Sequence, residues 1–413
     1  MGIKGLFKFI KKYAPSAVNE ITVSDLKNKT IGFDTSILIY QFVIAIRNQG
    51  IDLTNNSGEI TSHIHAIIMK TLSFLKKKIN PVFVFDGKPP TIKYDTLKER
   101  TKIKQSAIEN LEKNIEMDEE TKIKLLKQSV SVSSKQMDEC KEILRLIGIP
   151  VIEAEQEADS QCAYLSKNNI VNAIASEDMD LLTFGTKILL RNINKKNIVE
   201  ITLSKILLEC EITQDQFIDL CILMGCDYCP TIDGIGMHTA YKLIKQHGTI
   251  ENIINNDRIK KKTYISDEFQ EKYIIAREYF KNPPVNKNYC NINWYAPNYE
   301  QLKELLINKY SYSELTVDKL LLKPLNGGHY GQLIGKTKNQ IQKQIDVEKA
   351  FDSYFTNLKI NKCDDFDDQF LDDDDDDDDD DEAIRLILAD DKNKINNCNN
   401  CNSIKSSRIS YEM

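Results

Sequence analysis

The sequence predicts an α/β fold in which helices flank a central, largely parallel β-sheet. Two observations predict this architecture. Short runs rich in β-branched and aromatic residues, which are typical of buried strands, alternate with longer segments of helical spacing. Several of these strand-like runs also end at acidic residues. Because open α/β sheets bind ligands beyond the carboxyl ends of their strands, those acids indicate a functional site at one sheet edge.

The 413 residues, of which 41% are hydrophobic, suffice for one large domain or two. No run of about 18 apolar residues is present, so we expect no membrane span. The N-terminus lacks a long apolar stretch and a small-residue cleavage site, which predicts an intracellular protein rather than a secreted one. The ten cysteines are scattered, as expected for reduced thiols. The pairs Cys226–Cys229 and Cys398–Cys401 lie in different contexts, so we expect no shared zinc site.

The net charge of −7 conceals two regions of opposite sign. Residues 1–345 carry 47 basic and 41 acidic side chains, whereas residues 346–413 carry 8 basic and 21 acidic ones. A basic body with a cluster of acids indicates an enzyme that holds a polyanion through metal ions. The acidic tail 363–413, with ten consecutive aspartates at 372–381, is predicted to be disordered. Whether it repels such a polyanion, mimics one for a basic partner or only keeps the chain solvated stays open.

The elements of the first third alternate between helical and extended patterns. They are, in order, a helix, loop and helix over 1–28, a strand over Lys29–Phe33, a buried helix over Ser36–Arg47, a helix over Ser62–Lys78 and a strand over Pro81–Phe85. The prolines of GKPP then end regular structure. Thr91–Lys135 is rich in Lys, Glu and Gln with a thin apolar stripe, which indicates either two exposed helices or a long linker.

The second third repeats the alternation. Its predicted elements are a helix over Gln136–Ile147, a strand over Ile149–Ile152, a helix that opens with acids over Glu153–Leu165, a strand over Val171–Ala175, a hairpin over 187–201 and helices over Thr213–Met224 and Thr239–Gln246. Residues 265–345 read as mixed helix and loop.

Seven carboxylates form the candidate metal site. Six follow predicted strands, so one sheet edge would gather them: Asp34, Asp86, Glu157, Asp159, Asp178 and Asp180. Asp227 follows a predicted helix instead, so the turn that carries it would have to bring it to the same edge. Carboxylates without His or Cys select Mg²⁺ or Mn²⁺ over zinc. Two such ions roughly 4 Å apart activate a water and stabilise the leaving oxygen of a phosphodiester. The alternative for any single acidic turn, Glu177–Asp180 included, is a solvated loop.

Cationic and glycine-rich positions near these acids are candidates for DNA contact. Lys93 and Arg100 are seven residues apart, so they share one face of a helix; ordinary surface charge is the alternative. Gly234 and Gly236 precede a helix and resemble a helix-hairpin-helix turn, whose N–H groups bind a DNA phosphate. A plain tight turn is the alternative there.

Motifs spread over residues 1–250 resemble those of the flap endonucleases, within the structure-specific 5′ nuclease superfamily. The matching stretches are MGIKGLFKFI, FDTSILIYQFVIAIR, TSHI, PVFVFDGKPP, DECKEILRLIGIPVIEAEQEADSQCA, ASEDMDLLTFG and QFIDLCILMGCDYCPTIDGIG. The resemblance implies a PIN-like nuclease core, a helical arch and a helix-hairpin-helix element. It also implies Mg²⁺-dependent cutting of 5′ flap DNA near the junction, with 5′–3′ exonuclease activity, in replication (Okazaki fragment processing) and base excision repair.

The same resemblance assigns roles and boundaries. It makes the seven carboxylates ligands of two Mg²⁺ ions, with Mn²⁺ as a substitute, and it makes Glu177 a bystander. It places Lys93 and Arg100 on the scissile phosphate, Tyr40 on a base, Gly2 near the substrate and K⁺ at the hairpin of Gly234 and Gly236. The expected regions are an N-terminal nuclease region 1–107 with an arch over about 87–135, an internal region 120–250 with the hairpin element over about 225–250, a C-terminal part of the core 251–345, a clamp-binding segment 346–362 and the tail 363–413.

Several positions depart from the family pattern. Asp159 stands where the family usually has Glu, which shortens the reach of one ligand. Met237 and His238 replace Pro-Lys, so one cation toward phosphate is absent and the grip on duplex is expected to weaken at high salt. In the degenerate clamp motif Phe351 replaces an aliphatic residue, while the aromatic pair Tyr354 and Phe355 is present. The acidic tail has the opposite sign to the family's basic one.

The expected protein is a monomeric nuclease that acts on branched DNA, and in a eukaryote it would be nuclear. Two alternatives stay open. One is a related nuclease specialised for exonuclease or bubble cutting, and the compact arch argues against it. The other is a scaffold that binds DNA or a sliding clamp without cutting, which the complete set of carboxylates disfavours.

Overall fold

The computed structural model describes residues 2–48, 53–113, 118–129, 132–261, 264–289, 291–326 and 328–334. The expected clamp-binding residues Phe351, Tyr354 and Phe355 lie outside the described residues, as does the acidic tail 363–413. The six cysteines within the described part are free thiols, and they include Cys226 and Cys229.

A seven-stranded sheet forms the centre of the fold. Its strands are β1 (Val18–Ile21), β2 (Thr30–Asp34), β3 (Asn80–Phe85), β4 (Val151–Glu153), β5 (Ala173–Ala175), β6 (Ile188–Arg191) and β7 (Ile198–Thr202). They lie in the order β1-β7-β6-β5-β2-β3-β4. The five strands from β6 to β4 run parallel, and β7 pairs antiparallel with both β6 and β1. The predicted largely parallel α/β sheet is confirmed.

Residues 1–28 differ from the predicted helix, loop and helix. Only the first segment is an α-helix; the rest forms β1 between short 3₁₀ turns at Pro15–Ala17 and Val23–Leu26. Val18 lies opposite Ile201 of β7 in an antiparallel register. The strand therefore depends on a partner that is distant in sequence, and no local turn signal marks it.

Seventeen α-helices surround the sheet in the described part of the chain. They are α1 (Leu6–Tyr13), α2 (Thr35–Asn48), α3 (Ser62–Lys76), α4 (Tyr94–Glu112), α5 (Glu119–Ser129), α6 (Ser134–Ile147), α7 (Ala158–Lys167), α8 (Asp180–Thr183), α9 (Leu203–Cys210), α10 (Gln214–Met224), α11 (Met237–His247), α12 (Ile250–Ile254), α13 (Asp257–Lys260), α14 (Asp267–Lys281), α15 (Tyr299–Asn308), α16 (Glu314–Asn326) and α17 (Gly328–Leu333). Among the described residues, no helix has both the length and the apolar character to cross a membrane.

Hydrophobic residues form one core on each face of the sheet. On β3, Val82 and Val84 belong to the core that includes α1, α7, α10, α11 and α14, whereas Phe83 and Phe85 belong to the core with α3, α6, α15 and α16. Successive side chains of a strand point to opposite faces, so a continuous apolar strand is buried on both sides. This arrangement leaves the strand ends as the place for polar side chains.

The described residues of Thr91–Lys135 lie mostly in helices rather than in a linker. A 3₁₀ turn at Thr91–Lys93 leads into α4, and α5 packs against α4. Only Ala107 is buried on α4, which agrees with the thin apolar stripe in the sequence. The base of α4 follows β3 and lies next to the acidic sheet edge.

An ion-pair network holds α14 against α10 and α12. The Arg277 guanidinium donates from Nε and Nη2 to both carboxylate oxygens of Asp219, at 2.6 and 2.8 Å. It also donates to Glu251 at 2.5 Å. Asp219 is only 3% exposed and accepts the Ile250 backbone N–H at 3.1 Å. Burial raises the pKa of Asp219, and the Arg277 hydrogen bonds oppose that rise.

Replacing Arg277 with Met is expected to lower the free energy of unfolding by about 3 kcal/mol or more, because it leaves the buried Asp219 carboxylate unpaired. Lys281→Met on the same helix is the matched control. It removes a pair with Asp215, whose side chain is 65% exposed, and is expected to cost about 1 kcal/mol or less. Urea unfolding measures both. Equal losses in the two variants would contradict the structural role of the buried pair.

His65 makes stability depend on pH. Its side chain is buried in α3, and burial lowers its pKa from 6.5 to about 4. The unfolded chain protonates this imidazole near its ordinary pKa while the folded chain keeps it neutral, so stability is lost as the pH falls through this window. Between pH 7 and pH 4 the wild type is expected to lose up to about 3 kcal/mol more than His65→Gln. Unfolding curves at several pH values test this, and identical pH dependence in both proteins would exclude it.

Candidate active site

Six of the predicted carboxylates lie at the carboxyl ends of four neighbouring strands, β5, β2, β3 and β4. Asp34 is the last residue of β2, and Asp86 directly follows β3. Asp178 and Asp180 follow β5, while Glu157 and Asp159 follow β4 at the start of α7. All except Asp86 are buried, with exposures between 1% and 9%. The structure therefore brings the six acids to one edge of the sheet, as the strand pattern predicts.

Hydrogen bonds fix the acids of β2 and β5 relative to one another. Ser176 donates to Asp34 Oδ2 at 3.3 Å, and its Oγ accepts the Asp178 N–H at 3.1 Å. Asp178 Oδ1 in turn accepts the Asp180 N–H at 3.0 Å. The turn after β5 thus folds around its own carboxylates, and Asp180 begins the short helix α8.

Asp86 is held from two other elements. Its Oδ1 accepts the Ala158 N–H of α7 at 2.8 Å, and its Oδ2 accepts the Ser36 hydroxyl of α2 at 2.5 Å. The exposed carboxylate is therefore oriented although its strand has ended.

The N-terminal segment closes one side of the acidic cluster. The Ile3 N–H donates to Asp180 Oδ1 at 2.7 Å. Gly2 has a φ of +83°, and a Cβ on it would lie 2.1 Å from Asp178 Oδ1 and 2.4 Å from Asp180 Oδ1. Only glycine fits this position, which lies directly beside two acids.

Burial and mutual repulsion disfavour ionisation in the cluster. Burial, followed by the charges of Asp86 and Asp178, raises the pKa of Asp34 to about 8. Burial and the nearby Asp178 likewise raise the pKa values of Asp159 and Asp180. Like charges confined in a low dielectric require a countercharge, so the cluster has the electrostatics of a cation site.

Two basic residues from the base of α4 meet the cluster. The Lys93 ammonium donates to Glu157 Oε1 and lies 3.5 Å from Asp227 Oδ2. Arg100 Nη2 donates to Asp227 Oδ2 at 2.6 Å. Burial would lower the pKa of Lys93, but the charges of Glu157, Asp159 and Asp227 outweigh it and raise that pKa. The structure therefore places both cations beside the acidic edge, paired with Glu157 and Asp227.

Asp227 reaches the site through its own turn, as the sequence requires. Cys226 and Cys229 form an isolated antiparallel bridge that closes a turn around Asp227 and Tyr228. Thr96 on α4 donates to the Asp227 carbonyl oxygen at 2.8 Å. The seventh carboxylate is thus tied to the arch base.

The donor set fits a hard divalent cation. Asp159 Oδ1 is buried and has no hydrogen-bond partner, which leaves an oxygen lone pair for a cation. The other acids offer only carboxylate oxygens, the donors that Mg²⁺ and Mn²⁺ prefer. Within the described ranges, no three acidic, His or Cys side chains stand as a preformed coordination shell. Two of the acids, Glu157 and Asp227, are instead engaged by Lys93 and Arg100.

Glu177 lies outside this set. Its Oε2 is 3.1 Å from the Arg191 Nη2, and its Oε1 accepts the Asn192 N–H at 2.6 Å. The acid that adjoins Asp178 in sequence thus faces a different partner, because successive residues of the turn point in different directions.

Two tyrosines at the site were not among the sequence candidates. Tyr228 and Tyr279 both donate hydroxyl hydrogen bonds to Glu157 Oε2. Tyr228 adjoins Asp227, which is a signal that sequence reasoning had available. Tyr279 lies on α14 with a spacing typical of an ordinary core position, and no local pattern distinguishes it.

The remaining predicted DNA-contact residues lie on two other elements. Tyr40 is half-buried on α2, which begins directly after Asp34. Gly234 and Gly236 lie in the turn between α10 and α11, where an added Cβ would meet no atom within 4 Å. Gly236 precedes α11 without a side-chain cap, so this turn offers open backbone.

His238 has polar neighbours on α1. Its Nδ1 lies 2.8 Å from the Tyr13 hydroxyl, and its Nε2 lies 3.5 Å from the Lys12 ammonium. The Lys12 ammonium of α1 therefore lies beside the first turn of α11, where the sequence has Met237 and His238 and no lysine.

Comparisons with known proteins agree with this geometry. The XPG N-terminal domain matches residues 1–107, and the XPG I-region matches residues 148–227. The chain is 40% identical over 378 residues to flap endonuclease 1 of Plasmodium chabaudi chabaudi, covering 86% of this chain and 75% of that relative. The solved flap endonuclease-1 of Methanococcus jannaschii is 30% identical with a TM-score of 0.60, over 78% of this chain and 98% of its own.

A further solved structure shares the fold. The catalytic core of Rad2 in complex with DNA substrate has a TM-score of 0.60 at 23% identity, and covers 78% of this chain and 100% of its own. The α/β sheet, its acidic edge and these matches define a structure-specific nuclease. Within that class, the chain belongs to the flap endonuclease family.

Gly2→Ala is expected to reduce flap cleavage about 100-fold, because displacing reacting or liganding groups by about 1 Å costs that much. Gly5→Ala is the matched control. Gly5 has a similar φ of +73°, but its added Cβ would meet only Met237 Sδ at 3.8 Å. Single-turnover cleavage of a labelled flap duplex measures both. Equal losses would assign the effect to backbone strain rather than to contact with Asp178 and Asp180.

Proposed function

We propose that this flap endonuclease is Mg²⁺-dependent and cuts the phosphodiester near the junction of a 5′ flap. Two Mg²⁺ ions, replaceable by Mn²⁺, would be held by the carboxylates of the sheet edge: Asp34, Asp86, Glu157, Asp159, Asp178, Asp180 and Asp227. The observation that carries this proposal is the unpartnered buried Asp159 Oδ1 within a cluster whose pKa values are raised by burial and like charge. When bound, such ions activate a water and stabilise the leaving oxygen.

The chain's own residues position the scissile phosphate. Lys93 and Arg100 present an ammonium and a guanidinium beside the acids, where a phosphate's charge would draw both from their carboxylate partners. Tyr40 would stack on a base next to that phosphate. Gly2 permits backbone to approach the acids without a side chain. The burial of the acids excludes most water, which strengthens every charge interaction in the site.

Duplex DNA would bind at the turn between α10 and α11. The open backbone at Gly234 and Gly236 and the uncapped start of α11 present N–H groups to a phosphate, with K⁺ at the same turn. Lys12 supplies a nearby positive charge. The DNA complex named for the Rad2 catalytic core supports a nucleic-acid substrate for this fold.

The cellular setting is part of the same proposal. A flap-cutting enzyme with 5′–3′ exonuclease activity would act in DNA replication, on Okazaki fragments, and in base excision repair. It would work as an intracellular monomer, nuclear in a eukaryote. A sliding clamp would bind it through the aromatic residues Phe351, Tyr354 and Phe355.

Incubation with labelled double-flap DNA and Mg²⁺ tests the reaction, and single-stranded DNA serves as the substrate control. Asp178→Asn is expected to lower the cleavage rate about 1,000-fold or more, because loss of a metal ligand removes several kcal/mol of transition-state stabilisation. Glu177→Gln removes the neighbouring charge and is expected to stay within about tenfold of the wild type. Junction cleavage without divalent ions, or equal activity of both variants, would refute the proposal.

A further inference from the structure

Glu157 carries more donors than any other acid of the described site. Its Oε1 accepts the Lys93 ammonium. Its Oε2 accepts two phenol hydroxyls, from Tyr228 and, at 3.2 Å, from Tyr279. The two carboxylate oxygens therefore have different environments: one faces the Lys93 ammonium of the arch base, and the other faces two buried rings.

This asymmetry decides which oxygen is available to a further ligand. A carboxylate has about four lone-pair sites, two on each oxygen. Two phenols occupy both sites of Glu157 Oε2, whereas Lys93 occupies one site of Oε1. Oε1 therefore retains a free site, and it gains a second when Lys93 turns to another anion. The two phenols therefore hold Oε2 and leave Oε1 as the oxygen with a free site.

Packing locks the Tyr279 ring in this position. Tyr279 is 9% exposed, and its ring centroid lies 5.8 Å from that of Phe184 and 5.0 Å from that of Tyr228. Phe184 directly follows α8, which begins at Asp180, and Tyr228 directly follows Asp227. The ring thus packs against the turns that carry two of the other acids, so its hydroxyl has little freedom to leave Glu157.

The helix that carries Tyr279 is anchored separately. Arg277, two residues earlier on α14, holds both oxygens of the buried Asp219. That pair fixes the position of α14 against α10. Tyr279 also lies outside the two matched nuclease regions, which end at residue 227. The C-terminal part of the core therefore reaches a carboxylate of the active site through the Tyr279 hydroxyl.

We propose that Tyr279 is a positioning residue of the active site, which through its hydroxyl fixes the Glu157 carboxylate as a single-oxygen ligand for a divalent cation. This inference rests on the proposed function, in which Glu157 is one of the metal ligands. Partners that orient a ligating carboxylate affect metal affinity about 10- to 100-fold. Because Tyr228 continues to hold the same oxygen, the loss of Tyr279 alone has an effect at the low end of that range.

Tyr279→Phe removes the hydroxyl and keeps the ring. Mn²⁺ binding to the full-length protein without DNA, followed by the electron paramagnetic resonance signal of free Mn²⁺, is expected to weaken about tenfold. Tyr273→Phe is the matched control: it removes a buried hydroxyl from the same helix, where the partner is Glu251 rather than an acid of the site. Its Mn²⁺ affinity is expected to stay within about twofold of the wild type. Thermal melts without metal report whether each variant is folded.

A double-mutant cycle tests whether Tyr279 affects Mn²⁺ affinity through Glu157. In a Glu157→Gln background, Tyr279→Phe is expected to have no further effect on Mn²⁺ affinity, because the carboxylate through which it acts is gone. Tyr228→Phe removes the other phenol that donates to the same oxygen. The double variant Tyr228→Phe with Tyr279→Phe is expected to lose more Mn²⁺ affinity than either single variant. These two measurements keep the proposal testable even where Tyr279→Phe lowers stability.

The outcomes separate this inference from the function on which it rests. Wild-type protein that binds Mn²⁺, together with a folded Tyr279→Phe of equal affinity, overturns the positioning role alone. A Tyr279→Phe effect that persists undiminished in the Glu157→Gln background also overturns it. Wild-type protein that binds no Mn²⁺ overturns the proposed metal site and this inference with it.

Discussion

Repulsion among buried carboxylates is the constraint on which the rest of this structure depends. Five acids at one sheet edge are nearly inaccessible to water, and burial together with neighbouring charge raises the pKa values of Asp34, Asp159 and Asp180. A folded chain holds such a cluster only when donors and cations surround it. Such donors come from several elements. They include the backbone N–H of Ile3, the hydroxyl of Ser176 and the ammonium of Lys93.

This requirement makes the site a product of the whole fold. Four separate elements contact the acids of this sheet edge. They are the N-terminal segment, the arch base, the turn after α10 and helix α14. Asp227 joins Arg100 across 127 residues, and Tyr279 joins Glu157 across 122. The elements that hold the acids also exclude water from them. The same packing therefore fixes the positions of the carboxylates and raises the pKa values of three of them.

Much of the sheet and of the acidic site follows from local sequence. Within β3, residues Pro81–Phe85 are all apolar because both faces of the strand are buried, and Asp86 follows where the strand leaves the core. The strand β1 was not predicted, because Val18–Ile21 becomes extended only by pairing with β7. The arch segment allowed two interpretations, and the packing of α5 on α4 decided between them.

The sequence by itself determined the alternation of strands and helices, the strand ends at which acids gather and the chemistry of their ligands. These properties depend on residue type and on the spacing of hydrophobic residues along a short segment, and both can be read directly from the sequence. Only the tertiary structure decided that Glu177 faces Arg191, that Lys12 stands beside His238 and that two phenols share one oxygen of Glu157. Those contacts join residues that only the packing of separate helices and turns brings together, so no local pattern encodes them.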